Sequence, residues 1–147
     1  ELFDPTKEGH LPHAGTFNNN TLTMAAGIAG LGEIFTEEKA RELHERGTWL
    51  TQQINQVFQA ESVNFYASGL GSLINIHASR KAPKSPEEVA QLNQATRELL
   101  FFDLLEAGFY LASRGFIALS LEVTDQNCLD FIEAVNEAVQ ARKPLYM

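Results

Sequence analysis

The sequence predicts an α+β fold, in which helices pack on one face of a small and mainly antiparallel sheet. The first observation is the order of the predicted elements, which is helix, helix, strand, strand, helix, strand, strand, helix. The second is that glycine-containing turns separate the strands of each pair, as they do in hairpins. The third is the length of 147 residues with 44% hydrophobic side chains, which suits one domain with a core of its own.

Residues 1–20 are predicted to form an extended lead-in, because prolines and a glycine occur there among few apolar side chains, and residues 21–147 then form the domain. A first helix is predicted from about Thr21 to Phe35. Its apolar stretch is shorter than the roughly 20 residues that span a bilayer, so we expect a buried helix. Gly27 and Gly30 each cost a helix about 1 kcal/mol relative to alanine, and close packing is the expected reason for them.

The next part of the chain is predicted to be a helix followed by two strands. Thr36 is the predicted cap of the second helix, along which apolar residues recur in steps of three and four. That face comprises Ala40, Leu43, Gly47, Leu50, Ile54 and Val57. Strands are predicted over Val63–Tyr66 and Leu73–His77, with Gly69–Ser72 turning the chain between them.

A third long helix has the strongest start signal in the sequence. Ser85 and Glu88 form a capping box around Pro86, and proline is favoured at the first helical position. This helix is predicted to run to about Ala107, because Gly108 stops it.

The last part of the chain is predicted to be a hairpin and a helix. Strands are predicted over Phe109–Ala112 and Phe116–Leu121, around the turn Ser113–Gly115. Thr124 or Asp125 is expected to cap the final helix, which should end at the proline that follows it. Pro144 is that proline, and the predicted buried face of the helix comprises Leu129, Ile132, Val135 and Val139.

Composition excludes several classes of protein. The net charge of −8 argues against a general nucleic-acid binder, which needs a basic surface. Cys128 is the single cysteine, so no intrachain disulfide can form and a reducing, cytoplasmic location is expected. We expect Cys128 to pack in a helix rather than to react. No signal segment or membrane span is visible, and a first residue other than methionine suggests a piece of a longer protein.

A short motif near the amino end combines a glycine, a hydroxyl and amides directly before the first helix. Backbone N–H groups at a helix start are unpaired and favour anions. Gly15 lets the backbone approach a ligand, and the hydroxyl of Thr16 can donate to a phosphate oxygen. Asn and Thr are favoured as ordinary helix caps for that reason alone, and helix starts are commoner than phosphate sites. The residues therefore leave two interpretations open, a phosphate site or a capped helix.

The same motif carries a resemblance. The run Gly15-Thr16-Phe17, with Asn20 and the following Leu, Ala and Ala, resembles a segment of the class III pyridoxal-phosphate aminotransferases, which include glutamate-1-semialdehyde aminomutase and β-amino-acid aminotransferases. Thr21 stands where many members have proline. Gly69–Leu73 resembles a second family segment, Gly-x-Gly-Ser followed by Met or Leu.

The resemblance implies a role for each motif residue. Gly15 and Thr16 would lie at a dimer interface, where the threonine reaches the phosphate of pyridoxal 5′-phosphate held mainly by the neighbouring subunit, and Asn20 is the motif asparagine. Nearly the whole chain would be the C-terminal small domain of a fold-type-I enzyme. The implied partners are its own large domain, a second identical subunit and an amino-acid or amino-ketone substrate.

The chemistry of that family needs a lysine that binds the cofactor covalently. The family places it upstream of the Gly-Thr motif, and no lysine of this chain has the desolvated setting expected of a reactive amine. The five lysines are Lys7, Lys39, Lys81, Lys84 and Lys143. The chain alone is therefore expected to be inactive. A stand-alone interaction or regulatory module with the same fold and no catalysis is the alternative.

Arg114 is the candidate substrate-binding residue. A guanidinium at a hairpin tip can clamp a carboxylate with two hydrogen bonds, and the segment around it resembles one that engages substrate in β-amino-acid aminotransferases. A solvated turn arginine is the alternative. The four histidines have no metal-ligand spacing, so no metal site is predicted.

Overall fold

The computed structural model describes residues 2–12 and 20–147 and confirms the predicted fold class, a mixture of helices and a three-stranded antiparallel sheet. The helices are α1 (Thr21–Ala29), α2 (Glu37–Ala60), α3 (Pro86–Ala90), α4 (Gln94–Glu106), α5 (Asp125–Ala141) and α6 (Lys143–Tyr146), and the strands are β1 (Tyr66–Leu70), β2 (Leu73–His77) and β3 (Phe116–Ala118). The chain divides into two compact units, residues 1–39 and 40–147.

The smaller unit contains α1, which continues into a π-helical turn over Gly30–Ile34. The helix lies where the sequence predicts it, but the prediction that it is buried is wrong for this chain. None of its residues is buried, and Leu22 and Ile28 are 79% and 72% exposed. Gly27 and Gly30 also have open space where a Cβ would stand. The apolar composition of α1 predicted burial, but composition does not show whether the rest of this chain provides the contacts.

The larger unit is built on α2, whose predicted apolar face is confirmed except that Ala40 and Val57 are only half-buried. Its buried residues are Leu43, Gly47, Leu50, Ile54 and Phe58, at helical spacing. Gly47 faces the turn between β1 and β2, so closely that a Cβ would overlap the carbonyl oxygen of Gly71. The absence of a side chain therefore sets how near this helix comes to the hairpin.

The sheet has the order β1-β2-β3, and both pairings are antiparallel. Ala67, Ile74 and Ile76 are buried on the face that contributes to the core, together with residues of α2, α4 and α5. The strand β2 has the predicted limits. Asn55 of α2 covers the edge strand β1, because its side-chain amide donates to the carbonyl oxygen of Ala67 at 2.7 Å and accepts from its N–H at 2.8 Å.

The first predicted strand is displaced, since β1 covers Tyr66–Leu70 rather than Val63–Tyr66. The N–H of Val63 donates to Phe58 O at 3.1 Å, and the N–H of Asn64 donates to Tyr146 O at 2.6 Å. These residues therefore bond to helical segments instead of to a strand. The turn is correspondingly shorter than predicted, because Leu70 already pairs with Leu73.

The long helix predicted up to Ala107 is two helices. Ser85 caps α3 as predicted, with its side chain accepting from Glu88 N at 3.3 Å. The chain then breaks after Ala90, and Asn93 caps α4 by accepting from Thr96 N at 3.2 Å. Asn93 is thus a second cap within the stretch predicted as one helix, and it starts a separate helix.

The second predicted hairpin is also wrong. Residues 109–112 form no strand, and β3 is limited to Phe116–Ala118, which pairs with β2. Gly108 has a φ of 92°, and the N–H of Phe109 donates to Leu104 O at 2.8 Å. These contacts belong to the end of α4, so they prevent the following residues from extending as a strand.

The final helix α5 begins with a capping box between Thr124 and Asn127, in agreement with the predicted cap. Its buried residues are Cys128, Phe131, Ala134, Val135 and Val139, so the packing role predicted for Cys128 is confirmed. Leu129 is 49% exposed, contrary to prediction. The helix ends at Ala141, and Pro144 lies within the short α6.

Candidate functional site

Of the three motif residues at the amino end, the structure describes only Asn20. Gly15 and Thr16 lie outside the described residues. Asn20 is the N-cap of α1, where its side-chain oxygen accepts from Leu22 N at 3.0 Å and from Thr23 N at 3.1 Å. The predicted helix cap is therefore confirmed. Phosphate binding by the motif stays a prediction, and the cap already occupies the N–H groups of Leu22 and Thr23.

Arg114 lies on the turn between Ala112 and Phe116, at the amino end of β3. The N–H of Gly115 donates to Ala112 O at 2.8 Å, and the N–H of Ala112 donates to Phe116 O at 3.2 Å. The Arg114 side chain is exposed, and its guanidinium carbon lies 5.4 Å from the centre of the Phe116 ring. A guanidinium stacked on an aromatic ring keeps its N–H donors available, so Arg114 can donate hydrogen bonds to a carboxylate.

A polar cluster beside this turn was not found from the sequence. We call it the outer-face cluster, and it comprises Ser68, Asn75, His77 and Arg97. The Ser68 hydroxyl lies 2.9 Å from His77 Nε2, and His77 is only 7% exposed. Burial, and secondarily the charge of Arg97, lower the pKa of His77 below its usual value, so the imidazole is neutral at pH 7. Arg97 provides the positive charge of the cluster.

Three atoms of the outer-face cluster are buried and have no hydrogen-bond partner among the residues that the structure describes: Asn75 Oδ1, His77 Nδ1 and Arg97 Nε. The only hydrogen bond of the Arg97 side chain in the described part of the chain goes to the neutral oxygen of Gln94, at 3.0 Å. Neither Arg97 nor Arg114 has an ion pair with a carboxylate among residues 2–12 and 20–147. Buried polar atoms are normally paired, so this exception needs a reason.

Alternation along β2 is the sequence signal that could have found part of the cluster. Asn75 and His77 alternate with Ile74 and Ile76, which places them on the face opposite the core. No comparable signal exists for Arg97, since it lies in a helix whose start was not predicted.

The five lysines lie in exposed or ion-paired settings. Lys7, Lys39, Lys81 and Lys84 are exposed. Lys143 is half-buried and donates to Glu61 at 3.0 Å, which keeps its ammonium group paired. Within the described ranges, no group of three or more potential ligand side chains could hold a metal ion, and no helix is both long and apolar enough to cross a membrane.

Comparison with known proteins gives clear relatives, although no protein-family model matches. The chain is 43% identical over 138 residues to the beta-phenylalanine transaminase of Variovorax paradoxus, an alignment that covers 94% of this chain and 32% of that protein. It is 32% identical over 114 residues to a glutamate-1-semialdehyde 2,1-aminomutase of Flavobacterium johnsoniae, covering 74% of this chain and 26% of that protein.

Solved structures agree with the sequence relatives. The crystal structure of a beta-phenylalanine aminotransferase from Variovorax paradoxus matches with a TM-score of 0.90 at 41% identity, over 99% of this chain and 34% of that one. A transaminase with PLP bound has the same fold, with a TM-score of 0.73 at 24% identity over 95% of this chain and 32% of that one. The chain thus spans about a third of the length of these relatives.

Proposed function

Since the chain belongs to the class III aminotransferases, a family that depends on pyridoxal phosphate, we propose that it forms the carboxyl-terminal part of such an enzyme. Residues 21–147 would be its small domain, in a fold-type-I enzyme located in the cytoplasm. The observation that carries this proposal is the TM-score of 0.90 over 99% of the chain but only 34% of the matching structure. The substrate would be an amino acid or an amino ketone.

The cofactor of the whole protein would be pyridoxal 5′-phosphate. When bound, it supplies the electron sink that stabilises a substrate carbanion. Gly15, Thr16 and Asn20 would hold its phosphate across a subunit interface. The fit is supported by Asn20, which fixes the start of α1 directly after the motif, at the positive end of a nine-residue helix. Because Asn20 Oδ1 already accepts from the N–H groups of Leu22 and Thr23, the phosphate would depend on Gly15 and Thr16 more than on the first turn of α1.

The substrate carboxylate would be oriented by Arg114. This role is supported by three features already described: an exposed guanidinium, an aromatic ring beneath it and no competing carboxylate in the described part. An arginine held in this way offers two parallel N–H donors to a carboxylate.

Exposed apolar surfaces support the proposed partners, which are the large domain of the same protein and a second identical subunit. Leu22, Ile28 and Leu31 are each more than 70% exposed in the first unit, and Leu70 and Tyr110 are 76% and 86% exposed in the second. Contiguous apolar surface on a monomer marks an interface. This exposure also weighs against the alternative of a stand-alone module, which would cover such side chains.

The proposal further states that the covalent lysine lies elsewhere, so the 147-residue chain alone is inactive. The chain and the intact gene product can each be incubated with pyridoxal phosphate, reduced with borohydride and mapped by mass spectrometry. We expect one stoichiometric lysine adduct in the gene product, outside this sequence, and only scattered partial labelling of exposed lysines in the chain.

A single stoichiometric adduct at one of the five lysines of this chain would refute the missing-lysine proposal. Apolar-dye binding and light scattering on the same samples separate the two functions. A monodisperse chain that binds no dye would support the stand-alone module instead.

A further inference from the structure

We propose that Arg97 is a positioning residue for Arg114, acting through Asn75 and Gly115 to hold the turn that presents the substrate-binding guanidinium. The inference rests on the carboxylate-binding role proposed above for Arg114. Arg97 itself does not touch substrate in this proposal. It is 17 residues away from Arg114 in sequence, on α4, and no sequence motif links the two.

The first step is the close packing of Gly115 against β2. Its φ is 84°, a conformation that favours glycine, and a Cβ there would overlap the carbonyl oxygen of Ile76. The carbonyl oxygen of Gly115 accepts from Ile76 N at 2.9 Å. The turn thus packs closely against β2. Because Gly115 directly follows Arg114, a displacement of the turn would also move Arg114.

The second step is that the side chains of Asn75 and Arg97 also lie next to Gly115. A Cβ on Gly115 would lie 3.0 Å from Asn75 Oδ1 and 3.2 Å from Arg97 Cδ. Both side chains are therefore near van der Waals contact with the turn. Asn75 also pairs with Phe116 across the sheet, and the Phe116 ring lies beneath the Arg114 guanidinium. Asn75 thus contacts both the turn and the strand residue whose ring lies beneath Arg114, and Arg97 contacts the turn.

The third step is that Asn75 and Arg97 each have a buried polar atom without a hydrogen-bond partner in the described part of the chain. These atoms are Asn75 Oδ1, which is an acceptor, and Arg97 Nε, which is a donor. Leaving such atoms unsatisfied destabilises the fold. A residue chosen for stability alone would avoid this cost, for instance by replacing the arginine with an apolar side chain. The retained charge points to a role at the adjacent turn, because strain and unpaired polar groups are tolerated at functional sites.

The test measures carboxylate binding by the intact gene product with isothermal calorimetry, so it needs no turnover. The probe is 3-phenylpropanoate, chosen because a relative acts on beta-phenylalanine, and its neutral amide serves as the control ligand. We expect Arg114→Met to weaken carboxylate binding by about tenfold or more, and Arg97→Met by about three- to tenfold. Amide binding should not change. Arg97→Lys should recover part of the affinity, as it keeps the charge but not the rigid fork.

The double variant decides between positioning and independent binding. If Arg97 acts through Arg114, then Arg97→Met/Arg114→Met binds no more weakly than Arg114→Met alone. Additive losses, or normal binding by Arg97→Met while Arg114→Met is impaired, would overturn the positioning role and leave the proposed function intact. Normal binding by Arg114→Met, or no carboxylate binding by the unmodified protein, would instead refute the role of Arg114 and with it this inference. Arg41→Met, at an exposed arginine paired with Glu45, is the matched control, and equal melting temperatures exclude unfolding.

Discussion

Tyr146 shows how one side chain joins three parts of the larger unit. It is fully buried, its hydroxyl donates to Asp103 at 2.7 Å, and its ring meets Phe65 edge-on with 5.0 Å between the ring centres. Burial, and then the bond to Asp103, raise the pKa of the phenol far above its usual value. Arg142 also donates to Asp103, at 2.7 and 2.9 Å. The tyrosine and the arginine therefore connect the chain end to α4 through one carboxylate.

Removing the hydroxyl should weaken the fold without disturbing the packing of the ring. We expect Tyr146→Phe to lower the free energy of unfolding by about 1–2 kcal/mol, because a hydrogen bond to a charged acceptor is lost. Urea denaturation of the 147-residue chain measures this. Tyr110→Phe is the control, since Tyr110 is 86% exposed and its loss should be within about 0.5 kcal/mol. Equal effects of the two changes would show that the Asp103 bond contributes nothing.

At the residue scale, local chemistry was predictable and distant pairing was not. The sequence located the Arg114 turn, the caps at Asn20, Ser85 and Thr124, and the packing of Cys128, because each depends on immediate neighbours. The partners of His77 and Arg97 depend on how β2, α4 and the turn at Gly115 meet, and no spacing in the sequence reports that meeting. The phosphate role of Thr16 remains a prediction.

At the element scale, the helix starts were predicted more reliably than the ends and the strands. Ser85 and Thr124 bond to the N–H groups of their own first turns, which is information held within four residues. The strand β2 was also located correctly. The false hairpin at 109–112 came from apolar residues that fill the space beside α4 and α5 instead of pairing, and periodicity cannot distinguish these uses.

Because α2 packs closely against the β1–β2 turn at Gly47, adding one methyl group there should change the free energy of unfolding. Alanine normally stabilises a helix relative to glycine by about 0.5–1 kcal/mol. Gly47→Ala should instead lower the free energy of unfolding by about 1–3 kcal/mol, because the new Cβ overlaps backbone at Gly71 that cannot move without shifting the hairpin. Chemical denaturation of the chain measures the change.

Gly27→Ala is the matched control for this prediction. Gly27 also lies in a helix, but nothing stands within 4 Å of its missing Cβ. The control should leave the main unfolding transition unchanged or slightly raised. A stabilised Gly47→Ala variant would mean that the helix and the hairpin are not in close contact in solution.

At the scale of the whole molecule, the sequence predicted the class of the fold but misjudged where its apolar surface is covered. The helix α1 has helical caps and apolar composition, yet all its large apolar side chains are exposed within this chain. The chain also spans only about a third of the length of its relatives. A helix buried in the core and a helix whose apolar residues are exposed can have the same composition, so sequence alone could not separate them.

The proposed second subunit gives a prediction at this scale. We expect the intact gene product to sediment as a dimer, and Ile28→Glu to weaken that dimer by at least about tenfold, because a carboxylate would be buried without a partner. Gln52→Glu, on the exposed side of α2, is the control and should leave the dimer unchanged. A dimer that withstands Ile28→Glu would place the interface away from α1.

The amide of Asn55 has a consequence for how this chain behaves when its apolar faces are uncovered. Free N–H and C=O groups along an outer strand are a template on which a strand of another molecule can add. Because Asn55 already occupies both groups of Ala67, the middle of β1 offers no such template. Copies of the isolated chain would therefore adhere through their apolar side chains rather than by adding a strand at the β1 edge.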